Sequence, residues 1–119
     1  MNVEEIRILC LGLKGTTEDF PFDKDTLVFK VMGKMFALVP LERIPHTVNL
    51  KCDPEKSISL RDKYSDIITP GYHMSKLHWN TIRLEALPRE LMEELVLHSY
   101  NLVVSKLTKK DKAKLALLS

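Results

Sequence analysis

The chain has 119 residues, 45% of them hydrophobic and 29% charged, which leaves room for one core but not two and argues against disorder. No apolar run approaches the roughly 20 residues needed to span a bilayer, and the acidic start Met1-Asn2-Val3-Glu4-Glu5 lacks the basic region of a secretory leader, so the expectation is a cytoplasmic protein. The net charge of +2 is too small for the broad basic face of a strong non-specific nucleic-acid binder.

Residues 2–12 have the pattern of an amphipathic helix. Asn2 is placed to cap it, Glu5 stands three residues on as in a capping box, and Ile6, Leu9, Cys10 and Leu13 share one face. Gly12 and Gly15 end it. The acidic stretch Thr16 to Lys24 reads as an exposed loop anchored in the core by Phe20 and Phe22. From Val28 to Val39 the pattern predicts a hairpin with a type II′ turn at Gly33-Lys34. That register pairs Val31 with Phe36 and Phe29 with Leu38 on one face, and leaves Val28, Lys30, Met32, Met35, Ala37 and Val39 on the other.

Pro40 and Pro45 bracket a loop. Thr47 to Cys52 then alternates as a half-buried strand, with Val48, Leu50 and Cys52 inward and Thr47, Asn49 and Lys51 outward. Asp53-Pro54 starts a helix running to about Tyr64, with Leu60 and Tyr64 inward. Pro70-Gly71 is a turn, followed by a strand near His78 to Leu84 with Ile82 and Leu84 inward and Trp79, Thr81 and Arg83 outward. Pro88 opens the longest helix, to about Leu107, whose inner stripe is Leu91, Met92, Leu95, Val96, Ser99, Leu102 and Val103. Thr108 caps a last short helix. The order α-β-β-β-α-β-α-α predicts a single α+β domain over residues 1–119, an antiparallel sheet with its helices mainly on one face.

The residues offer little to catalysis. Cys10 and Cys52 read as small buried residues of a reducing compartment, in no metal-ligand spacing. His73 and His78 lie five apart, so on a strand their rings face opposite sides and do not converge on a metal. There is no phosphate-cradling glycine loop, and Glu93-Glu94 is a solvated helix face. The expectation is therefore a protein without enzymatic activity, cofactor or metal. Two features suggest binding. The outer sheet face would carry Lys30, Asn49, Lys51, Trp79, Thr81 and Arg83, with Met32 and Met35 near the hairpin tip. A tryptophan there is open to three readings: covered by the C-terminal helix, stacked on nucleic acid, or anchoring a protein partner. The second feature is the run from Lys106 to Lys114, five lysines against Asp111. It reads as a solvating tail, with a DNA arm as the alternative.

Several blocks resemble the MmcQ/YjbR family: Val48-Asn49-Leu50-Lys51, Leu60-Arg61, the run Pro70-Gly71-Tyr72-His73-Met74-Ser75-Lys76-Leu77-His78-Trp79-Asn80-Thr81, Leu87-Pro88 and Ser99-Tyr100. The hairpin from Val28 to Leu38 fits as well, and the likeness covers nearly the whole chain. Ser75 stands where the family often has asparagine, and Glu85-Ala86 replaces a common acidic-glycine turn. The resemblance implies a CyaY-like fold whose double-wing arrangement has been proposed to bind DNA. Carried onto this chain, it implies Lys30 and Lys34 on the wing, with Lys51, His73, Lys76, His78 and Trp79 as further contacts. Arg83, on the same outer face, completes the expected DNA-binding set. The expected role is a DNA-binding, transcription-associated protein, and the alternative is a protein-interaction module using the same face.

Overall fold

In the computed structural model, which describes residues 1–72 and 74–118, the first helix forms as its sequence demands. Helix α1 (Val3–Leu11) is closed by a reciprocal capping box: the Asn2 side chain accepts from the Glu5 N–H at 2.8 Å, and the Glu5 carboxylate accepts from the Asn2 N–H at 3.1 Å. Ile6 and Cys10 are its fully buried residues.

The next segment departs from expectation. Thr16–Asp19 is not loop but a strand, β1. Its Thr-Thr-Glu-Asp sequence has no apolar alternation because it borders the sheet, and its acids are held from outside. Arg7 grips Glu18 with two bonds of 2.7 and 2.6 Å, and Lys30 lies 3.7 Å from Asp19. Phe20 and Phe22 are not core anchors either, being 46% and 63% exposed. The local order comes instead from Asp23, whose carboxylate accepts from the N–H groups of Asp25 and Thr26.

Strands β2 (Thr26–Val31) and β3 (Lys34–Pro40) form the expected hairpin, but in another register. The two-residue turn is Met32-Gly33, with φ of 50° and 79°, the paired positive values of a type I′ turn. A β-bulge then intervenes. Lys30 faces Met35, while Phe29 faces Ala37 and Val28 faces Leu38. The extra residue lets consecutive Phe36 and Ala37 both join the core and reverses the alternation beyond them. Leu38, expected inward, therefore lies on the outer face beside Val28, and Val39, expected outward, is in the core.

Strand β4 (Thr47–Lys51), helix α2 (Pro54–Lys63), strands β5 (Ile68–Pro70) and β6 (Trp79–Arg83), and helices α3 (Arg89–Ser105) and α4 (Lys109–Leu117) complete the chain. Only β5 was not anticipated among these. Three residues ending in proline are too short to show a period. The six strands run β1-β2-β3-β4-β6-β5, every neighbour antiparallel. All four helices send residues into one cluster on one side of this sheet. Phe36 and Tyr100 meet there edge to face at 5.4 Å, and the Tyr100 hydroxyl donates to the Lys14 carbonyl. The fold is thus α+β, as expected. Among the described residues no helix is long and apolar enough to cross a membrane.

Candidate functional site

Strands β3 and β4 pair only at Ala37–Leu50 and Leu38–Asn49 before they part. Helix α3 fills the opening. Ser99, fully buried, accepts from the Lys51 N–H at 2.9 Å and donates to the Phe36 carbonyl at 2.6 Å, replacing the missing rung of the ladder. Beyond this point the chain leaves a cleft made of two adjoining hollows. One, of about 330 Å³, is lined by Lys34, Met35, Lys51, Trp79, Val103, Lys106 and Leu107. The other, of about 470 Å³, shares Lys51 and Lys106 and adds Cys52, Asp53, Pro54, His78 and Leu102.

Three lysines from three separate elements therefore line one cleft: Lys34 from the hairpin, Lys51 from β4 and Lys106 from the end of α3. None of them has a carboxylate partner among the described residues. The Lys51 ammonium lies 5.8 Å from the centre of the Trp79 ring, within cation–π range. Helix α4 begins three residues beyond Lys106, with Lys109 and Lys110 in its first turn.

Trp79 is only 7% exposed. It lies on the outer face, as its position in the alternation required, but Val28, Leu38, Met35 and Met74 pack around it. Trp79 is covered, but the cover comes from sheet neighbours and Met74 and not from the C-terminal helix expected to supply it. Its backbone is equally confined. Gly71 donates to the Trp79 carbonyl at 2.8 Å, and a Cβ at Gly71 would lie 2.8 Å from the Trp79 Cβ, so only glycine allows this approach. Arg61 of α2 fixes the same stretch from the core side. Its guanidinium donates to the Asn80 side chain at 2.7 Å and to the carbonyls of Lys76 and Trp79 at 2.5 and 3.2 Å.

The expected contact set is thus only partly brought together. Lys34, Lys51, His78 and Trp79 share the cleft. Lys30 stands by Asp19. Lys76 is exposed on the connection into β6 but lines neither hollow, and Arg83 lies at the opposite end of β6. His73 lies outside the described residues. Sequence reasoning missed Lys106 as a member of the site. It was grouped with the lysine run after it, although its place at the end of the α3 stripe, three residues past Val103, put it beside the sheet.

Both thiols are free and buried. Burial pushes the Cys10 thiol up to about 12, and burial likewise raises Cys52, partly offset by a hydrogen bond from Ser57. In native protein both should react with a thiol-specific disulfide reagent roughly a hundredfold or more slowly than in the unfolded chain. Cys52, at the wall of the cleft, should be labelled before Cys10. Rapid labelling of either, followed by mass spectrometry, would count against this picture. Among the described residues no three His, Cys, Asp or Glu side chains gather as metal ligands would.

Comparison with known proteins places this architecture. The YjbR family model matches residues 11–102, from the end of α1 through most of α3. The chain belongs to the YjbR family. Its relatives include the uncharacterized protein YbdF of Escherichia coli O157:H7, 38% identical over 109 residues, covering 91% of this chain and 88% of YbdF. The uncharacterized protein YjbR of Escherichia coli K12 is 32% identical over 116 residues, covering 97% of each. The crystal structure of Deinococcus radiodurans protein DR2400 superposes with a TM-score of 0.90 at 42% identity, over 98% of this chain and 88% of that one. A Pseudomonas syringae protein structure follows at a TM-score of 0.71 and 30% identity, over 86% of this chain and 98% of its own. The family assignment agrees with the residues that suggested it, since the Arg61 clamp, the Gly71–Trp79 contact and the Ser99 bridge all fall inside the matched span.

Proposed function

We propose that this YjbR-family chain is a cytoplasmic, non-enzymatic DNA-binding protein that grips the phosphate backbone at the cleft between β3 and β4. The observation that carries this reading is the convergence of Lys34, Lys51 and Lys106 on one cleft without carboxylate partners among the described residues. Unpaired ammonium groups from three elements make a local positive field even in a chain of net charge +2. Phosphate contacts of this kind position a duplex without reading its sequence. The covered Trp79 acts as a rigid wall for Lys51 and does not stack on a base.

The test is a duplex-DNA titration at several salt concentrations with wild type and with Lys51→Ala/Lys106→Ala. Each phosphate neutralised contributes about −0.9 to the slope of log K against log salt, so the double variant should flatten the slope by roughly 1.8. Its affinity should fall by a similar factor on every sequence tried. Equal affinity and slope in the two proteins would remove the cleft as the binding site.

A second reading, a protein-interaction module, draws support from the exposed aromatics Phe22 and Tyr72, 63% and 57% exposed, which line a hollow with Leu38, Asn49 and Met74 on the outer face. Salt-insensitive capture of one protein partner, abolished by Phe22→Ser and indifferent to the lysine variants, would favour it.

A further inference from the structure

At the end of β4 and β6 remote from the lysine cleft, a smaller cavity of about 240 Å³ opens on the outer face. Arg43, Thr47, Asp66, Thr69 and Arg83 are among its lining residues. We propose that it binds a phosphate group, held by the guanidinium groups of Arg43 and Arg83 and by the hydroxyl of Thr47.

Three observations carry this. Thr47 and Arg83 are direct cross-strand partners, and the alternation of β4 and β6 turns both to the outer face. Thr47 is only 3% exposed, yet its hydroxyl has no hydrogen-bond partner among the described residues. An unsatisfied buried hydroxyl is costly, and an oxyanion in the cavity would accept its proton. Finally, neither arginine is engaged in an ion pair among the described residues. Arg43 is nonetheless held in place, its guanidinium carbon 4.6 Å from the centre of the Tyr72 ring. Two planar forks beside a hydroxyl donor match the tetrahedral oxygens of a phosphate better than a single point charge would.

The cavity also sets limits. At about 240 Å³ it takes a phosphate and part of its substituent, below the size of pockets that enclose whole cofactors. Asp66, at the same wall, tempers the positive field and favours a single oxyanion over a dense polyanion. The neighbouring hydroxyls are already committed: Thr69 donates to the Thr81 carbonyl, and Thr81 donates to the Asn49 side chain. Among the described residues the Thr47 hydroxyl is the one in this cavity left without a partner.

The experiment is calorimetric titration of the full chain with inorganic phosphate at constant ionic strength. Wild type should show saturable millimolar binding. Arg43→Gln and Arg83→Gln should each weaken it roughly tenfold or more, the usual loss for a hydrogen bond to a charged group. The near-isosteric Thr47→Val should weaken it severalfold, and Asp66→Asn should strengthen it. Circular dichroism confirms that each variant is folded. Lys51→Ala/Lys106→Ala should leave phosphate affinity unchanged, so this site and the lysine cleft stand or fall separately. Absence of saturation in wild type at tens of millimolar, or arginine variants that bind as wild type does, would overturn the proposal. Two further arms identify the source of the phosphate. Tighter binding of a phosphomonoester, with DNA affinity untouched by Arg83→Gln, supports the site with a free metabolite as its ligand. Loss of DNA affinity in Arg83→Gln supports the site with a backbone phosphate.

Discussion

Ser99→Ala should cost this protein about 2–4 kcal/mol of stability, far more than removal of one small side chain from a helix ordinarily does. The hydroxyl accepts from the Lys51 N–H and donates to the Phe36 carbonyl where β3 and β4 separate, and it is wholly buried. Its loss strands two backbone groups away from water, each at about 1–3 kcal/mol. Against a total stability of about 5–15 kcal/mol this is a large fraction, and the melting temperature should fall by roughly 10 °C. The cavity left by a single oxygen is too small to matter beside this. Urea unfolding followed by far-ultraviolet circular dichroism measures it directly, and a loss below about 1 kcal/mol would show that the bridge is not what closes the ladder. Because the bridge also fixes the backbone of Lys51, the variant should bind polyanions less well even where it remains folded.

The second large effect is expected at Arg61. Arg61→Leu keeps most of the side-chain bulk but removes donors to Asn80, Lys76 and Trp79. The amide of Asn80, 1% exposed, keeps its bond to Ser57 but loses the Arg61 guanidinium. A loss of about 2–4 kcal/mol follows from one buried acceptor stranded and two carbonyls released. The stretch from Gly71 to Trp79 should loosen with it. Acrylamide should then quench the fluorescence of Trp79, the chain's one tryptophan, more strongly than in wild type, and the Gly71 amide should exchange faster. Unchanged quenching together with unchanged stability would refute the clamp.

The layered arrangement was legible because its signals are local and redundant. The Asn2–Glu5 box, the Asp53-Pro54 start and the long stripe from Leu91 to Val103 each announce a helix without reference to anything distant. The hairpin was legible as a hairpin but not in register. Both Gly33-Lys34 and Met32-Gly33 suit a two-residue turn, and the choice between them rests on a bulge at Phe36 that no short pattern encodes. That one slip had consequences for the site. With Leu38 assigned to the core, one of the two fully packed sheet neighbours of Trp79 was missing from its face, so its burial by Val28 and Leu38 together was not visible. Ser99 was correctly placed on the inner stripe, but its role depends on where two strands part, which is a tertiary fact. Lys106 and Arg43 belong to the same class. Their chemistry was plain, and only the fold shows what stands beside them.

The order of the strands settles how this sheet meets its neighbours. Its two borders are β1, four residues carrying Glu18 and Asp19, and β5, three residues closed by Pro70. An extended segment from another molecule would find a short, acid-bearing rim on one flank and a missing amide donor on the other. Growth of the sheet by lateral addition is therefore disfavoured at both ends, although the strands between them are rich in valine, leucine and phenylalanine. Such borders discourage edge-to-edge pairing between copies of a chain whose inner strands are otherwise apolar.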